Sequence, residues 1–386
     1  MKEFLDIVER IIRKLLVYPV LRLLFRNRYS DAPLNLQDVR RILILRNDRI
    51  GDMIVTTPIL RSLKHRNPEL RIDVIASRIN KEILRGNPYV DQVYVLETGY
   101  RKLIAQVWQM RRLHYDVVLN FVFNRTTSPA ILANIIAPKG FKVGQGPDRY
   151  SFYFNRLLKL PRFERHMVET LAFFAEQAFG IRLGGEELAM EVVVAEDSKQ
   201  KMNAFLSSHR LQTRTEGDGN LSRYIVLNLS VKDAERKFSK EQAVALARKL
   251  SSMSQFKTVL LIAPGDEETE ILVLNNKDFA SCIVYRTEGE FPLGQLASLV
   301  QGAVAGVTMD TSIVHFASAT GTPVLAFYTE LSLVKEWAPF GVTHDILMAP
   351  MSRTIAGIPT EILVERATEF IQAILSEPHK EIRRQA

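Results

Sequence analysis

Short apolar runs alternate with stretches of helical periodicity along most of this chain. The first series of β-branched runs lies at 42–45, 72–76, 92–96 and 116–120. A second series lies at 224–229, 258–263, 282–285, 303–309 and 323–328. Strands separated by helices are typical of a parallel sheet with right-handed crossovers. The pattern predicts two α/β domains of the Rossmann type that face each other across a cleft, where ligands bind beyond the carboxyl ends of the strands.

A polar stretch containing FGIRLGGEE separates the two series of strands. We therefore predict a linker near 180–190, with a first domain at 37–185 and a second domain at 186–358. Residues 359–386 are predicted to form a closing amphipathic helix and a basic tail.

Residues 1–36 are predicted to contain a basic amphipathic helix. Between positions 2 and 28 the chain has seven Lys or Arg and three acidic residues. Apolar residues recur there at helical spacing, namely Phe4, Val8, Ile11, Ile12, Leu15 and Leu16. The longest uncharged stretch, Leu15 to Leu21, is far shorter than the roughly 20 residues that span a bilayer. We expect this helix to lie on an anionic inner-membrane surface or, alternatively, to pack on the first domain.

Composition narrows the choice of partner and compartment. The net charge of +8 in 386 residues indicates an anionic partner, such as nucleic acid, a membrane surface or a phosphorylated substrate. The sequence has no zinc-finger spacing, no RNP-type aromatic motif and no basic helix with heptads, which argues against nucleic acid. The single cysteine, Cys282, cannot form an internal disulfide, which favours a reducing compartment. We therefore expect a cytoplasmic protein.

The loop after the first strand reads RNDRIGD, from Arg46 to Asp52. Asp52 would lie at the carboxyl end of a strand, where a carboxylate can accept a proton from an acceptor hydroxyl. Gly51 would let the backbone approach a ligand. Alternatively, Asp52 only caps the next helix, and Asp48 is a rival base in the same loop. Arg46 and Arg49 are candidates for binding an anionic acceptor.

Two cations precede a helix of the second domain. The first strand of that domain runs into Ser230 and then into Arg236 and Lys237, ahead of a capping box formed by Ser239 and Gln242. Cations at a helix N-terminus suit a diphosphate, because the side chains and the free N–H groups both favour negative charge. Alternatively, they form a solvated cluster balanced by neighbouring acids.

The strand at 303–309 ends in the polar turn MDTSIVH. Thr311 and Ser312 can offer hydroxyl and N–H groups to phosphate oxygens, and Asp310 can bind sugar hydroxyls or cap the helix. His315 follows one helical turn later, where a histidine is more often packed than catalytic.

A basic segment at 146–166 is a further candidate for the acceptor, with a solvated loop as the alternative. Its cations are Arg149, Arg156, Lys159, Arg162 and Arg165. Of these, we single out Arg149 and Arg156 as acceptor-binding candidates.

Metal and cofactor chemistry lacks sequence support. The chain has no D-x-D pair, no H-E-x-x-H and no cluster among its seven histidines. It also lacks the phosphate-binding glycine motifs of kinases and dehydrogenases. We therefore expect no metal and no cofactor, so that cations and helix ends would neutralise a diphosphate leaving group.

Several of these segments together resemble glycosyltransferase family 9, the ADP-heptose:lipopolysaccharide heptosyltransferases, from about Arg40 to Phe370. ILRNDRIGDMIVTTPILRSLKHRNP resembles the opening strand and IGD motif of that family. ERKFS is similar to its K-R-W-P element, and GEFPLGQLASLVQGAVAGVTMDTSIVHFASATGTPVLAFY resembles its most recognisable block.

The resemblance implies a GT-B fold that inverts the anomeric centre, with an anionic glycolipid acceptor in the first domain and a nucleotide sugar, ADP-heptose, in the second. It implies that Asp52 is the general base. The residues that it places at the donor are Ser230, Arg236, Lys237, Asp310, Thr311, Ser312 and His315. Glu268 resembles a family acid that contacts the nucleotide ribose.

The chain departs from the family pattern at four positions. Ser312 stands where the family has glycine, Thr329 and Glu330 stand in place of a G-P-T element, and Phe238 replaces tryptophan. These departures leave two alternatives open. One is a different nucleotide sugar used for an O-antigen or capsule glycan, and the other is an inactive nucleotide-sugar-binding protein at the membrane.

Overall fold

The computed structural model describes residues 18–25, 27–123, 127–215, 221–286, 292–351 and 353–376. These residues form two parallel six-stranded sheets, each flanked by helices. Most of the predicted N-terminal helix and the whole basic tail lie outside the described residues. Among those that are described, no helix is both long and apolar enough to cross a membrane.

The first domain contains the sheet closest to the N-terminus. Its strands are β1 (Arg41–Arg46), β2 (Arg71–Ala76), β3 (Gln92–Val95), β4 (Val117–Asn120), β5 (Phe141–Gln145) and β6 (Arg156–Leu158). Its helices are α1 (Tyr18–Leu24), α2 (Ile50–Ile54), α3 (Thr57–Arg66), α4 (Tyr100–Arg111), α5 (Thr127–Ile136) and α6 (Met167–Phe179). The strand order is β3-β2-β1-β4-β5-β6. β1 reads as a continuous apolar run because helices cover both faces of the sheet.

The second domain repeats this architecture. Its strands are β7 (Tyr224–Asn228), β8 (Lys257–Ile262), β9 (Ile283–Arg286), β10 (Gly306–Met309), β11 (Val324–Tyr328) and β12 (His344–Met348). Its helices are α7 (Glu196–Ser208), α8 (Lys240–Ser251), α9 (Glu267–Leu274), α10 (Pro292–Gly302), α11 (Ser312–Thr320), α12 (Leu331–Trp337) and α13 (Thr360–Ser376). The strand order is β12-β11-β10-β7-β8-β9, which is the order of the first sheet.

The structure confirms the predicted Rossmann-type sheets and the predicted strands. The pattern missed three strands, β5, β6 and β12. The segment at 146–166 is therefore not simply a loop, because β6 lies within it. The helix after β1 is broken rather than single, since α2 ends in a turn at Val55 and α3 begins at Thr57 with Pro58 in its first turn.

The chain passes from the first domain to the second between Glu191 and Glu196. The short 3-10 helix Gly185–Leu188 packs on α3 and α6 of the first domain, and Glu191 pairs with Arg61 of α3. α7, which begins at Glu196, packs on α10 of the second domain. The crossing thus lies a few residues beyond the boundary predicted at 185. α13 packs on α8 and is part of the second domain.

Candidate active site in the interdomain cleft

Both sheets reverse their strand order at the centre, and the candidate residues follow the strands on either side. The reversal lies between β1 and β4 in the first sheet and between β7 and β10 in the second. Ligands of open α/β sheets bind outside the carboxyl ends of the strands at this point. The loop with Asp52 after β1 and the turn with Asp310 after β10 therefore occupy the two expected binding positions.

Arg46, the last residue of β1, is fully buried beneath its own loop. Its Nε donates to the backbone oxygen of Asp52 at 2.8 Å and to Thr56 Oγ1 at 3.0 Å. Its Nη1 donates to Asp48 Oδ2 at 3.1 Å and to the carbonyl of Phe121. Its Nη2 lies 3.2 Å from Asp52 Oδ1. One guanidinium group thus holds both candidate carboxylates in place.

Asp52 caps a helix and also faces the cleft. Its Oδ2 accepts a hydrogen bond from the backbone N–H of Arg49, the N-cap of α2, at 3.3 Å. Its side chain keeps 11% of its surface exposed. A carboxylate oxygen has two lone pairs, so each oxygen of Asp52 can accept one more hydrogen bond. Capping and proton acceptance are therefore compatible at this residue.

Asp48 is a buried carboxyl group in the same loop. Burial raises its pKa to about 6, although the charge of Arg46 opposes this shift. Its Oδ1 is buried and has no hydrogen-bond partner among the described residues. The raised pKa makes Asp48 a stronger base than an ordinary aspartate, whereas the burial of Oδ1 restricts access to it.

Asp310 faces this loop from the second domain. Arg236 Nη1 lies 3.0 Å from Asp310 Oδ2. Burial raises the pKa of Asp310, while the charges of Arg236 and Arg49 oppose the shift. Since Arg49 belongs to the first domain, charges from both domains act on one carboxylate in the cleft.

A hydrogen-bonded polar group supports the turn after β10. Thr311 is the N-cap of α11, and its Oγ1 accepts from the N–H of Ile313 at 3.3 Å. Asn228, at the end of β7, donates to Thr311 Oγ1 at 3.2 Å and accepts from the N–H of Ser230 at 3.2 Å. These bonds fix the N-terminus of α11 beside the end of β7, where its free N–H groups favour an anion.

Lys237 and Glu268 lie together at the edge of the same crevice. Lys237 Nζ donates to Glu268 Oε2 at 2.8 Å and lies 3.3 Å from Asp266 Oδ1. Partial burial opposes its charge, but these two carboxylates raise the pKa of Lys237 overall. The structure therefore brings Lys237, predicted for the diphosphate, against Glu268, predicted for the ribose.

Gly51 is one of the points where the two domains touch. A Cβ on Gly51 would lie 2.3 Å from Cδ2 and 2.8 Å from Nε2 of His315. His315 lies edge-on to Trp337, and burial lowers its pKa to about 4, so its ring is neutral near pH 7. Because Gly51 has no side chain, the buried imidazole of His315 fits against its backbone. This is a second reason for a glycine here, besides the approach of a ligand predicted from the sequence.

A second group of interdomain contacts flanks the cleft. Arg162 donates through Nε and Nη2 to Glu336, whose side chain is fully buried. His166 contacts the carbonyl of Ala338 at 3.0 Å and stacks on Phe340 with ring centroids 4.6 Å apart. Glu336 and His166 were not predicted. Neither a Glu in a short helix nor a His before a helix gives a local signal that its partners lie in the other domain.

Two of the predicted acceptor-binding residues have structural roles instead. Arg46 is fully buried, so it positions Asp48 and Asp52 and cannot reach an acceptor directly. Arg156, 3% exposed, donates to the carbonyls of Ser30, Ala32 and Gln177 and ties the N-terminal segment to β6. Neither guanidinium is therefore exposed for contact with an acceptor.

The other two acceptor candidates lie apart from each other. Arg149 is exposed and its guanidinium lies over the ring of Tyr150, on the side of the domain that contacts α1. Arg49 lies at the cleft. Among the described residues, no group of three or more His, Cys, Asp or Glu side chains is placed to hold a metal ion. Metal independence stays a prediction.

Two Rossmann-type domains that face each other across a cleft form the architecture of GT-B glycosyltransferases. The family model for glycosyltransferase family 9 (heptosyltransferase) matches residues 104–355. The chain therefore belongs to this family, as its resemblance implied.

Named relatives agree with this assignment. The lipopolysaccharide core heptosyltransferase OpsX of Haemophilus influenzae is 21% identical over 310 residues, which cover 78% of this chain and 80% of that protein. Lipopolysaccharide heptosyltransferase 3 of Escherichia coli is 21% identical over 347 residues, covering 85% of this chain and 92% of that protein.

Solved structures confirm the GT-B fold. A glycosyl transferase of family 9 from Veillonella parvula superposes with a TM-score of 0.72 at 21% identity, covering 89% of this chain and all of that one. The ADP-heptose lps heptosyltransferase II of E. coli gives a TM-score of 0.67 at 20% identity, covering 86% and 99% of the two chains.

Proposed function

We propose that the protein transfers a heptose from ADP-heptose to a lipopolysaccharide core or related glycolipid, with inversion at the anomeric carbon and Asp52 as the general base. The observation that carries this proposal is the position of Asp52. It lies at the reversal point of the first sheet, and its neighbour Gly51 contacts His315 of the second domain, to which we assign the donor. The names of the relatives, which are lipopolysaccharide heptosyltransferases, support the choice of substrates.

The proposed reaction is a single displacement. Asp52 takes the proton of an acceptor hydroxyl while the hydroxyl oxygen forms a bond to the anomeric carbon. The bond from that carbon to the diphosphate breaks on the opposite face, and the diphosphate leaves with the bonding electrons. We assign stabilisation of the charge of the leaving group to Arg236, Lys237 and the N-terminus of α11, which are cationic or carry free N–H groups.

Asp48 is the alternative base, and a pair of isosteric variants separates the two. We expect Asp52→Asn to lower kcat about 100-fold or more, a typical effect of removing a general base, with little change in donor affinity. Asp48→Asn should keep a larger share of kcat, since its free oxygen Oδ1 is buried. Turnover is followed by ADP release and by mass spectrometry of the glycolipid. Near-normal turnover of correctly folded Asp52→Asn would show that the base is elsewhere.

A different nucleotide sugar is the second candidate. A cavity of about 400 Å³ lies beyond the carboxyl ends of β11 and β12, lined by Thr329, Glu330, Met351 and Arg353 among others. Thr329 and Glu330, which depart from the G-P-T element that the resemblance implies, form part of this wall. Release of nucleoside diphosphate, measured across a panel of nucleotide sugars, decides between ADP-heptose and another donor. Tight donor binding without any transfer would instead support the inactive binding protein.

The proposed setting is the cytoplasmic face of the inner membrane, where the glycolipid acceptor would be reached. Within the described part of the N-terminal segment, α1 has three strongly exposed apolar residues, namely Val20, Leu23 and Leu24. α1 also packs on the first domain, since the ring of Tyr18 contacts Tyr150 and Phe152. The two alternatives for this segment, packing and membrane contact, are therefore compatible.

A further inference from the structure

Three helices lie side by side on one face of the first domain and form what we call the α1–α5–α4 face. Asn27, just after α1, donates to Asn134 Oδ1 of α5 at 2.9 Å. Arg111 of α4 donates to the carbonyl of Ile135 of α5 at 2.9 Å. The three helices are therefore one continuous layer, with α5 in the middle.

The solvent side of α4 carries an apolar stripe. Tyr100, Ile104 and Trp108 are 86%, 58% and 57% exposed, and their spacing of four residues aligns them in one stripe along the helix. The opposite side of α4 already packs on the domain core through Val107 and Met110. A helix that buries one apolar side is expected to present polar residues to water, so a second apolar stripe indicates a further partner.

The same apolar character continues across the layer. On α5, Ile135 is 42% exposed, and on α1 Val20, Leu23 and Leu24 are 57%, 72% and 65% exposed. The exposed apolar side chains thus belong to all three helices of the α1–α5–α4 face.

The charges of this face have one sign. The three helices contain four cations and no acidic residue, the cations being Arg22, Arg101, Lys102 and Arg111. Among the described residues, Arg101 and Lys102 form no ion pair. By contrast, three cations of α3, on the other face of the sheet, each pair with an acidic residue. Arg101 and Lys102 are therefore free to meet an anionic partner, whereas Arg111 bonds to Ile135 and lies over the ring of Trp108.

We infer that the α1–α5–α4 face docks on an anionic lipid bilayer, with Tyr100, Ile104 and Trp108 inserted at the headgroup level. Aromatic rings with a polar edge favour that level, and cations around them are attracted to anionic headgroups. A helix that follows a parallel strand begins at the carboxyl end of that strand, so Tyr100 and Thr127 lie at the same edge of the sheet as the Asp52 loop. Docking would bring this edge of the sheet to a membrane-borne acceptor. This consequence rests on the proposed function.

Fluorescence of Trp108 gives a direct test in the full-length protein. The chain has two tryptophans, Trp108 and Trp337, and Trp337 lies against His315 between the domains. Vesicles of phosphatidylglycerol and phosphatidylethanolamine that contain brominated lipid should quench the wild type on binding. Trp108→Phe should abolish this quenching. If the protein sediments with these vesicles and Trp108 is not quenched, the face does not dock and the inference is wrong. If the protein does not bind the vesicles at all, the inference is also wrong.

Affinity provides the second measurement. We expect the triple variant Tyr100→Ser, Ile104→Ser, Trp108→Ser to lower the partition coefficient about tenfold or more, as the loss of large buried side chains implies. The matched control is Ile271→Ser with Leu274→Ser, since both residues are similarly exposed but lie on the acidic helix α9. The control should bind like the wild type.

The outcomes separate this inference from others. If the triple variant changes the oligomeric state in sedimentation velocity and not vesicle binding, the face is an interface between two copies and the inference is wrong. The vesicles contain neither donor nor acceptor sugar. Vesicle binding is therefore measured independently of heptosyl transfer. The transfer reaction is assayed separately on a detergent-dispersed acceptor.

Discussion

Gly51 provides the sharpest test of the cleft geometry, because it separates the base loop from the second domain. In Gly51→Ala, the new Cβ would lie 2.3 Å from Cδ2 of His315, whereas ordinary contacts begin near 3.4 Å. The imidazole is buried and edge-on to Trp337, so it has little room to move. Overpacking of this kind costs about 1–3 kcal/mol, partly offset by about 1 kcal/mol from the better helix propensity of alanine.

Activity should suffer more than stability. Relief of the clash by domain separation moves Asp52 by about 1 Å relative to the second domain, and displacements of that size can lower turnover about 100-fold. We expect a large loss of kcat together with a small decrease in the free energy of unfolding, measured by steady-state ADP release and urea denaturation. Adding His315→Ala to the variant should restore the lost stability, because it removes the atoms in conflict.

The control is Gly184→Ala, whose Cβ would meet no atom within 4 Å and whose φ is −159°. It should leave both measurements unchanged. If Gly51→Ala were as active and as stable as the wild type, the contact between Gly51 and His315 would not exist in solution, and the placement of Asp52 against the donor domain would be refuted.

Two further predictions concern the contacts that flank the cleft. Arg162→Ala leaves Glu336 buried without its cation and should lower the free energy of unfolding by about 3–5 kcal/mol in urea denaturation, whereas Arg182→Ala, whose ion pair is exposed, should change nothing measurable. Burial lowers the pKa of His166 to about 3, so the folded state resists its protonation. Its contribution to stability is full above pH about 6.5 and declines as the pH falls toward the folded pKa. His166→Asn, which keeps a cap for α6, should flatten that decline in urea midpoints measured against pH, and an unchanged slope would contradict the assignment.

The local parts of the site could be predicted from the sequence. Asp52 and Asp310 each follow a β-branched run, and the carboxyl ends of parallel strands meet at one edge, so the pattern alone placed them near a ligand. The capping box of Ser239 and Gln242 is present as predicted, because it depends only on residues three apart. Glu268 was placed by resemblance, and its contact with Lys237 is consistent with a donor role.

Other features depend on tertiary partners that no local pattern reveals. Arg156 stands in a polar, basic stretch and looks solvated, yet three backbone carbonyls from distant segments bury it. β6, which contains it, is only three residues long and has no apolar alternation to identify it. A cation is buried wherever the fold supplies enough acceptors, and these acceptors are set by chain crossings, not by neighbours in sequence.

Arg46 shows the same principle at the centre of the site, and it links the two candidate bases. Its guanidinium holds Asp48 through Nη1 and Asp52 through Nη2, so two carboxylates share one buried positive charge. A single cation cannot fully stabilise both anions, and the charge of Asp52 contributes to raising the pKa of Asp48. Burial is the larger cause, and together they raise the pKa of Asp48 to about 6 against the charge of Arg46. Asp52, held by Arg46 and by the N-terminus of α2, keeps part of its side chain exposed at the cleft, and this exposure is why we propose it rather than Asp48 as the base.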